Sequence, residues 1–287
     1  MSNFKFHPDF IRIYYDACLC WLRDHIHINT MILRMRPTII TVGDSITQQG
    51  FGSSDSPGWV ALLSGAYTRR ADVLNRGFSG YNTRFALDIL PSLLGSNSDG
   101  DSSSSCASRP LFFTVLFGSN DASLLDDSPH CQHVPIDEYE DNMRQIVKKI
   151  RDGFEGNDKP PIILITPPPI DRSAWDKFCF EGFGLLSPRT NEVTKQYGIR
   201  VKSIAEELGC SVVDAFSLLG GNNAEEIYGA SLEDGLHLNG PGNKLLFEGL
   251  MDVITTDFPD LAPIEDGNGK NGDKGIRVEG ALWRDMF

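Results

Sequence analysis

Residues 38–52 read TIITVGDSITQQGFG, and the fold turns on how that stretch is taken. The first five residues, Thr38 to Val42, are all β-branched and show no polar alternation. A strand with one wet face alternates, whereas a strand covered on both faces does not; the pattern is that of a buried strand in a parallel sheet. Gly43-Asp44-Ser45 then ends the run. Glycine allows a sharp turn, and ligands of open α/β sheets bind along the carboxyl edge of the strands. Ser45 would therefore stand where a ligand arrives. The plainer reading is a turn in which Asp44 and Ser45 only bond the local backbone. Taken alone, the stretch does not choose between them.

Working outward, strand-like and helix-like segments alternate. Pro57–Arg70 reads as a helix with Trp59, Leu62, Leu63 and Ala66 on one face, and a short strand follows, ending at Asn75. Asn82–Leu94 reads as helical, and Gly95–Pro110 (GSNSDGDSSSSCASRP) as a low-complexity polar insert. Leu111–Gly118 (LFFTVLFG) is the clearest strand. Ile136–Phe154 is an amphipathic helix whose apolar side runs through Tyr139, Met143, Ile146, Val147 and Ile150. PIILITPPP gives another buried strand stopped by prolines. Arg189–Leu208 is a further helix, CSVVDAF a fifth strand, and Pro241–Phe258 a last helix with proline in its first turn. Such alternation implies a single domain with a parallel sheet and helices on both faces.

The totals exclude several classes. Net charge is -13, which argues against a nucleic-acid partner, because phosphate binding needs clustered Lys and Arg. It also disfavours an anionic membrane surface. The apolar N-terminal stretch DFIRIYYDACLCWLRDHIHI is broken by Arg12, Asp16, Arg23 and Asp24, so it offers no uncharged run long enough for a membrane span and no clean signal peptide. Residues 1–35 are expected to be an extension, 36–258 the domain, and 259–287, with EDGNGKNGDKG, a flexible tail. Cys18, Cys20, Cys106, Cys131, Cys179 and Cys210 form no CxxC pair; free thiols in a reducing, cytoplasmic setting are expected. An oligomer is possible, but nothing in the sequence sets one.

Three further blocks join Ser45, each placed where a strand ends or a helix begins. They are Gly80 in RGFSGYNTR, Asn120 in FGSNDAS, and Asp234 with His237 in DGLHLNGPGN. Singly, each has an ordinary explanation: a turn glycine, a helix cap at Asn120-Asp121, a turn at Asp234-Gly235, a satisfied polar histidine. In this order, with GDSIT, HVPIDEYEDNMRQIV and TPPPID, they resemble the SGNH/GDSL hydrolase superfamily. Within it they look most like the isoamyl acetate-hydrolysing esterase group and related plant GDSL esterases. The resemblance spans about Thr38 to Leu250; the insert, the N-terminal extension and the glycine-rich tail depart from it.

The resemblance implies a three-layer α/β/α sandwich with a central parallel sheet, flavodoxin-like in type, and a serine esterase for short-chain, acetate-type carboxylic esters working through an acyl-enzyme. It implies Ser45 as nucleophile, His237 as base and acid, and Asp234 as the residue orienting His237. The implied oxyanion hole is the backbone N–H groups of Ser45 and Gly80 with the Asn120 amide. The chemistry fits those residue types: a serine hydroxyl needs a neighbouring base, and an amide donates without a proton to lose. No cofactor or metal is implied, and the only partner is a small-molecule ester. Alternatives on the same site are an acetyl-carbohydrate esterase, a thioesterase or a lysophospholipase; the non-enzyme alternative is a binding module on an inactive scaffold. The segment TPPPIDRSAW (Thr166–Trp175) with Phe51, Trp59 and Phe183 are candidates for shaping the pocket, core packing being the alternative for each aromatic. The string HCQH (His130, Cys131, His133) lacks a second ligand pair for zinc, GNGKNG lacks a phosphate-loop context, and no GxSxG elbow surrounds Ser45.

Overall fold

The computed structural model describes residues 36–53, 55–94, 110–125, 132–154, 156, 159–184, 186, 188–264 and 275–276. Five strands, β1 (Thr38–Gly43), β2 (Asp72–Gly77), β3 (Pro110–Leu116), β4 (Ile162–Ile165) and β5 (Ser211–Val213), form one sheet in the order β2-β1-β3-β4-β5. Every pairing is parallel, with Thr41 opposite Asn75 on one side and Thr114 on the other. The order reverses at β1, so the loops after β1 and β3 diverge at the carboxyl edge, where such sheets leave a crevice.

The strands are buried on both faces, as their composition requires. On β3 and β4, Phe112, Leu116, Ile163 and Ile165 join one core cluster, while Phe113, Val115, Ile162 and Leu164 join the other. Adjacent strand residues point to opposite faces, so one run of apolar residues feeds two cores. The first is closed by the helices α2 (Trp59–Ala66) and α9 (Gly240–Asp257), through Trp59, Leu63, Leu246, Leu250 and Ile254. The second is closed by α3 (Thr83–Leu93), α4 (Ile136–Asp152) and α6 (Asn191–Leu208), through Leu90, Met143, Ile146, Val147, Tyr197 and Val201. This is the three-layer α/β/α arrangement that the alternation implies.

Helix ends are fixed locally. Asn82, Thr190 and Asn239 accept the backbone N–H of Phe85, Val193 and Gly242 at the starts of α3, α6 and α9, as N-cap residues do. On α4, Asp137 and Glu138 occupy the first turn and Lys149 and Arg151 the last, complementing the helix dipole.

Some elements differ from their sequence reading. Pro110 opens β3 rather than closing the polar insert, and β2 runs two residues past Asn75 to Gly77; residues 95–109 lie outside the described set, as do residues 1–35 and GNGKNG. The segment after β4 is a loop only to Asp171; it passes into a helix, α5 (Arg172–Phe183), that the sequence pattern does not announce. The short helices α1 (Ser45–Gln48), α7 (Ala215–Leu218) and α8 (Glu225–Gly229) complete the set. Past Phe258, the Tyr67 hydroxyl donates to the Leu261 carbonyl at 2.8 Å, and Arg70 donates to the carbonyls of Ile264 and Ile276.

Leu164 sits fully buried on β4, between β3 and the edge strand β5. Leu164→Ala should cost about 2–5 kcal/mol of stability, read as a lowered urea midpoint at unchanged slope. A loss below about 0.5 kcal/mol would mean that Leu164 is not packed in the core.

Candidate active site

Position 43 sets the geometry of the turn after β1. A Cβ on Gly43 would lie 2.2 Å from Thr47 Oγ1 and 2.7 Å from the Leu116 carbonyl oxygen, so only glycine lets β1 pass into α1. Asp44 then caps α1, its Oδ1 accepting the Ile46 N–H at 2.9 Å. Ser45 is the first residue of that helix and is buried. At this position its own N–H has no acceptor within the helix.

Neighbouring loops are tied to this turn. The Phe78 N–H donates to the Gly43 carbonyl at 2.8 Å, the Asp44 N–H to the Leu116 carbonyl at 3.3 Å, and the Ser79 N–H to Gln48 Oε1 at 2.7 Å. The loop after β2 thus lies against α1, and it carries Gly80 at φ 79°, a conformation natural to glycine. From the loop after β3, Asn120 donates through Nδ2 to the Tyr81 carbonyl at 2.8 Å. Asn120 and the Gly80 loop are therefore in direct contact.

His237 enters from the opposite end of the chain. The Glu233 N–H donates to the His237 carbonyl at 2.8 Å and closes a tight turn just before α9. Inside it, Asp234 Oδ1 accepts the N–H groups of Leu236 and His237 at 2.9 and 2.8 Å. The other oxygen, Oδ2, meets His237 Nδ1 at 2.7 Å. His237 Nε2 in turn lies 2.9 Å from Ser45 Oγ, across 192 residues of sequence. Burial works to raise the Asp234 carboxyl, but hydrogen bonds from the His237 ring and backbone outweigh it, so the group is held below the usual carboxylate range. An ionised Asp234 requires Nδ1 to carry the hydrogen, which turns a lone pair of Nε2 toward the serine hydroxyl. The arrangement can take a proton from Ser45 and hold the resulting imidazolium.

A Trp175 edge packs on the His237 ring (centroids 5.9 Å apart, planes at 73°), and Phe178 stacks on Trp175 at 5.4 Å. Both belong to α5, whose N-cap Asp171 accepts the Ala174 N–H at 3.0 Å. Beside them Ala174, Lys177, Phe178, Glu181, Glu233 and Asp234 line an open groove of about 460 Å³. Of the aromatics read as pocket candidates, Trp59 is core: it is fully buried and its indole donates to the Ile46 carbonyl at 3.2 Å. Phe51 is half exposed, and Phe183 is exposed with its ring 6.0 Å from Phe178.

The sequence profile of the GDSL-like Lipase/Acylhydrolase family matches residues 41–245, well over half of the 287-residue chain. The chain belongs to that family. It is accordingly a carboxylic ester hydrolase by class. The mouse isoamyl acetate-hydrolyzing esterase 1 homolog is 38% identical over 230 residues, which are 79% of this chain and 86% of that protein. A GDSL esterase/lipase of Arabidopsis thaliana is 38% identical over 257 residues, covering 84% and 97% of the two. Among solved structures, a lipase/acylhydrolase from Enterococcus faecalis superposes with a TM-score of 0.55 at 22% identity, covering 80% of this chain and 99% of that one. An acetylxylan esterase from Geobacillus stearothermophilus gives 0.54 at 23% identity, covering 77% and 96%. These two establish the shared fold.

Within this family member, Ser45, Asp234 and His237 form one hydrogen-bonded line, and Gly80 and Asn120 lie on adjoining loops. The helix-cap reading applies to Asp121 instead of Asn120: its Oδ1 accepts from the Thr83 N–H at 2.9 Å and the Thr83 hydroxyl at 2.5 Å. Trp175 closes the segment read as a pocket candidate, and its ring does lie against His237; sequence reading does not single out Asp121, Gln132 or Arg189 as site residues, since each acts through contacts between distant loops. Of the HCQH string, Gln132 and His133 are described; His133 Nδ1 meets the Ser123 carbonyl at 2.6 Å. Among the described residues no group of three or more His, Cys, Asp or Glu is placed to hold a metal. Cys179 and Cys210 are free thiols, and no described helix is long and apolar enough to cross a membrane.

Two fully buried carboxyls lie behind the serine. Burial raises Asp44 to about 7, against the Ile46 hydrogen bond and the nearby His237; it raises Asp121 to about 6, against the bonds from Thr83. The unfolded chain releases these protons near pH 4. Between that point and the folded values the native state binds more protons than the unfolded one, so stability from these groups is full at low pH and falls as pH rises through the window. Asp44→Asn keeps the Ile46 acceptor and removes one titration. The fall in urea midpoint between pH 4.5 and 7.5 should therefore be smaller in Asp44→Asn than in the parent, and equal falls would show that Asp44 is already ionised in the fold.

Proposed function

We propose that this protein hydrolyses short-chain carboxylic esters, of the acetate type, through an acyl-enzyme on Ser45. The observation that carries the reading is the unbroken line from Asp234 Oδ2 to His237 Nδ1 (2.7 Å) and from His237 Nε2 to Ser45 Oγ (2.9 Å). The acetate preference is supported by the likeness to relatives named as isoamyl acetate-hydrolyzing esterase homologs.

In this mechanism Ser45 Oγ attacks the ester carbonyl carbon as its proton passes to His237 Nε2. Asp234 holds the ring by Nδ1 and stabilises the imidazolium. The carbonyl oxygen takes the negative charge and is met by the N–H groups of Ser45 and Gly80 and by the Asn120 amide. Collapse breaks the bond to the leaving oxygen, which takes the proton from Nε2 and departs as the alcohol. Water then repeats the cycle: Nε2 accepts its proton, the hydroxide adds to the acyl carbon, and the acid leaves as Ser45 Oγ is reprotonated.

The groove beside Asp234, lined also by Lys177, Phe178 and Glu181, is assigned to the alcohol portion of the ester. It is open, so the alcohol side tolerates size, and Trp175 closes the side toward His237.

Ser45→Ala should reduce hydrolysis of p-nitrophenyl acetate to near background while leaving the melting temperature within a few degrees. A Ser45→Ala protein as fast as the parent would remove Ser45 from the chemistry. On the parent, kcat/KM should fall from acetate to octanoate esters and be lower for an acyl-thioester or an acetylated sugar; the reverse order in either comparison overturns the acetate assignment. Turnover that stays flat from pH 5 to 8 would exclude an imidazole base, since histidine is the side chain that ordinarily changes charge in that range.

A further inference from the structure

The two donors from outside the serine turn, Gly80 and Asn120, come from loops after different strands. Something must hold them at one spacing. The Arg189 side chain, buried to 2% exposure just before α6, reaches both. Its Nη1 donates to the Ser119 carbonyl at 2.6 Å. Its Nη2 donates to Asn120 Oδ1 at 3.2 Å and to Gln132 Oε1 at 2.8 Å. Gln132 Nε2 passes the contact on to the Gly80 carbonyl at 2.8 Å, and the Gln132 carbonyl accepts from Asn82 Nδ2 at 3.0 Å. One cationic nitrogen thus touches Asn120 directly and Gly80 through a single amide.

All three acceptors are neutral, and the Arg189 Nε has no hydrogen-bond partner among the described residues. A buried guanidinium on such partners is costly to the fold, because desolvation is only partly offset. Burial accordingly lowers the group to about 10, against the pull of Asp44, Cys179 and Asp121, which still leaves it charged at neutral pH. Stability alone does not account for a charge in this place.

Two effects on the oxyanion side follow from the contacts. The cation fixes which end of the Asn120 amide faces it: Oδ1 must turn to Arg189, so Nδ2 is directed away, with one hydrogen on Tyr81 and the second free of that contact. Drawing electron density toward Oδ1 also makes the N–H hydrogens better donors, as in other chains of polarised hydrogen bonds. The guanidinium also lies over the face of Trp175, 5.6 Å from its centroid, and Trp175 is the ring that abuts His237.

We propose that Arg189 is the positioning residue of the oxyanion hole, setting the orientation and polarity of Asn120 directly and the place of Gly80 through Gln132. The inference rests on the ester-hydrolase reading of Ser45. It concerns a residue that touches no substrate atom, so its effect belongs to the transition state, where charge sits on the carbonyl oxygen, and leaves ground-state binding alone.

The test is steady-state kinetics with p-nitrophenyl acetate on the parent, Arg189→Lys, Arg189→Met and Gln132→Met, alongside inhibition by an alkyl boronic acid that forms a tetrahedral adduct on a serine. Arg189→Met should lose about 10²–10³ in kcat, the cost of one oxyanion donor, with KM within about threefold. Gln132→Met should lose less, about tenfold, and Arg189→Lys should recover part of the Met loss. Boronate affinity should weaken in step with kcat/KM. If Arg189→Met does not fold, Gln132→Met carries the test, because it cuts the link to Gly80 and leaves the charge in place. Folded variants with parental kcat, or with the whole loss in KM, overturn the role of Arg189 and leave the esterase reading standing. A folded parent without Ser45-dependent turnover overturns both.

Discussion

No residue with a β-carbon fits at position 43, where that carbon would come within 2.7 Å of the Leu116 carbonyl oxygen, and the site is built on that exclusion. Because β1 can turn so tightly, the chain reverses into α1 within two residues and leaves Ser45 at the carboxyl edge, between the loops that follow β2 and β3. The same turn brings the Gly43 carbonyl to Phe78 and the Asp44 N–H to Leu116. The edge geometry of three adjacent strands is thereby fixed by backbone hydrogen bonds alone. The chemistry-bearing side chains are then added to a frame that is already rigid.

Behind that frame lies an unusual concentration of buried polarity. Asp44, Asp121 and Arg189 are each nearly or wholly buried, and each leaves one polar atom without a partner among the described residues. Apolar residues of similar volume would give a more stable core. What these polar groups supply is definition: Asp44 fixes the first turn of α1, Asp121 the first residue of α3, and Arg189 the loop that carries Asn120. Each holds one loop at the carboxyl edge. The molecule spends stability on holding loops that hydrophobic packing cannot grip.

Much of this was legible in the sequence, and the reason differs by feature. The strands were readable because burial on both faces leaves an apolar run that no helix or loop of that length shares, and LFFTVLF and IILI carry it plainly. The Asp234–His237 pair was readable because its geometry is local: three residues of separation suffice for one carboxylate to hold both backbone and ring. Helix α5 was not readable. It follows three prolines, and its aromatics Trp175, Phe178, Phe180 and Phe183 do not segregate to one face; Trp175 is buried while Phe180 and Phe183 are exposed. Trp59 reads as a possible pocket wall but is core, since its depth depends on α9 packing 184 residues away, where Asn243 accepts its N–H. Arg189 carries no local signal, because its contacts join three loops that are remote in the chain.

The arrangement of charge across the site has a direction, and it matches the reaction proposed. Proton transfer from Ser45 would put positive charge on His237, and carbonyl addition would put negative charge on the ester oxygen, a few ångströms away. Asp234, held below the usual carboxylate range, stands behind the first. Arg189, still cationic, stands behind the second through Asn120. Both stand one group back from the ester: Asp234 meets the imidazole at Nδ1, away from Ser45, and Arg189 meets the Asn120 amide at Oδ1. Placing the fixed charges one group back keeps them from pairing with the ground-state ester, which is neutral, and lets their field grow in importance only as the two opposite charges develop. A carboxylate or guanidinium in direct contact would bind other ions and water in the resting site. In the resting fold the pull of Asp44, Cys179 and Asp121 offsets part of the cost of burying the cation on neutral acceptors.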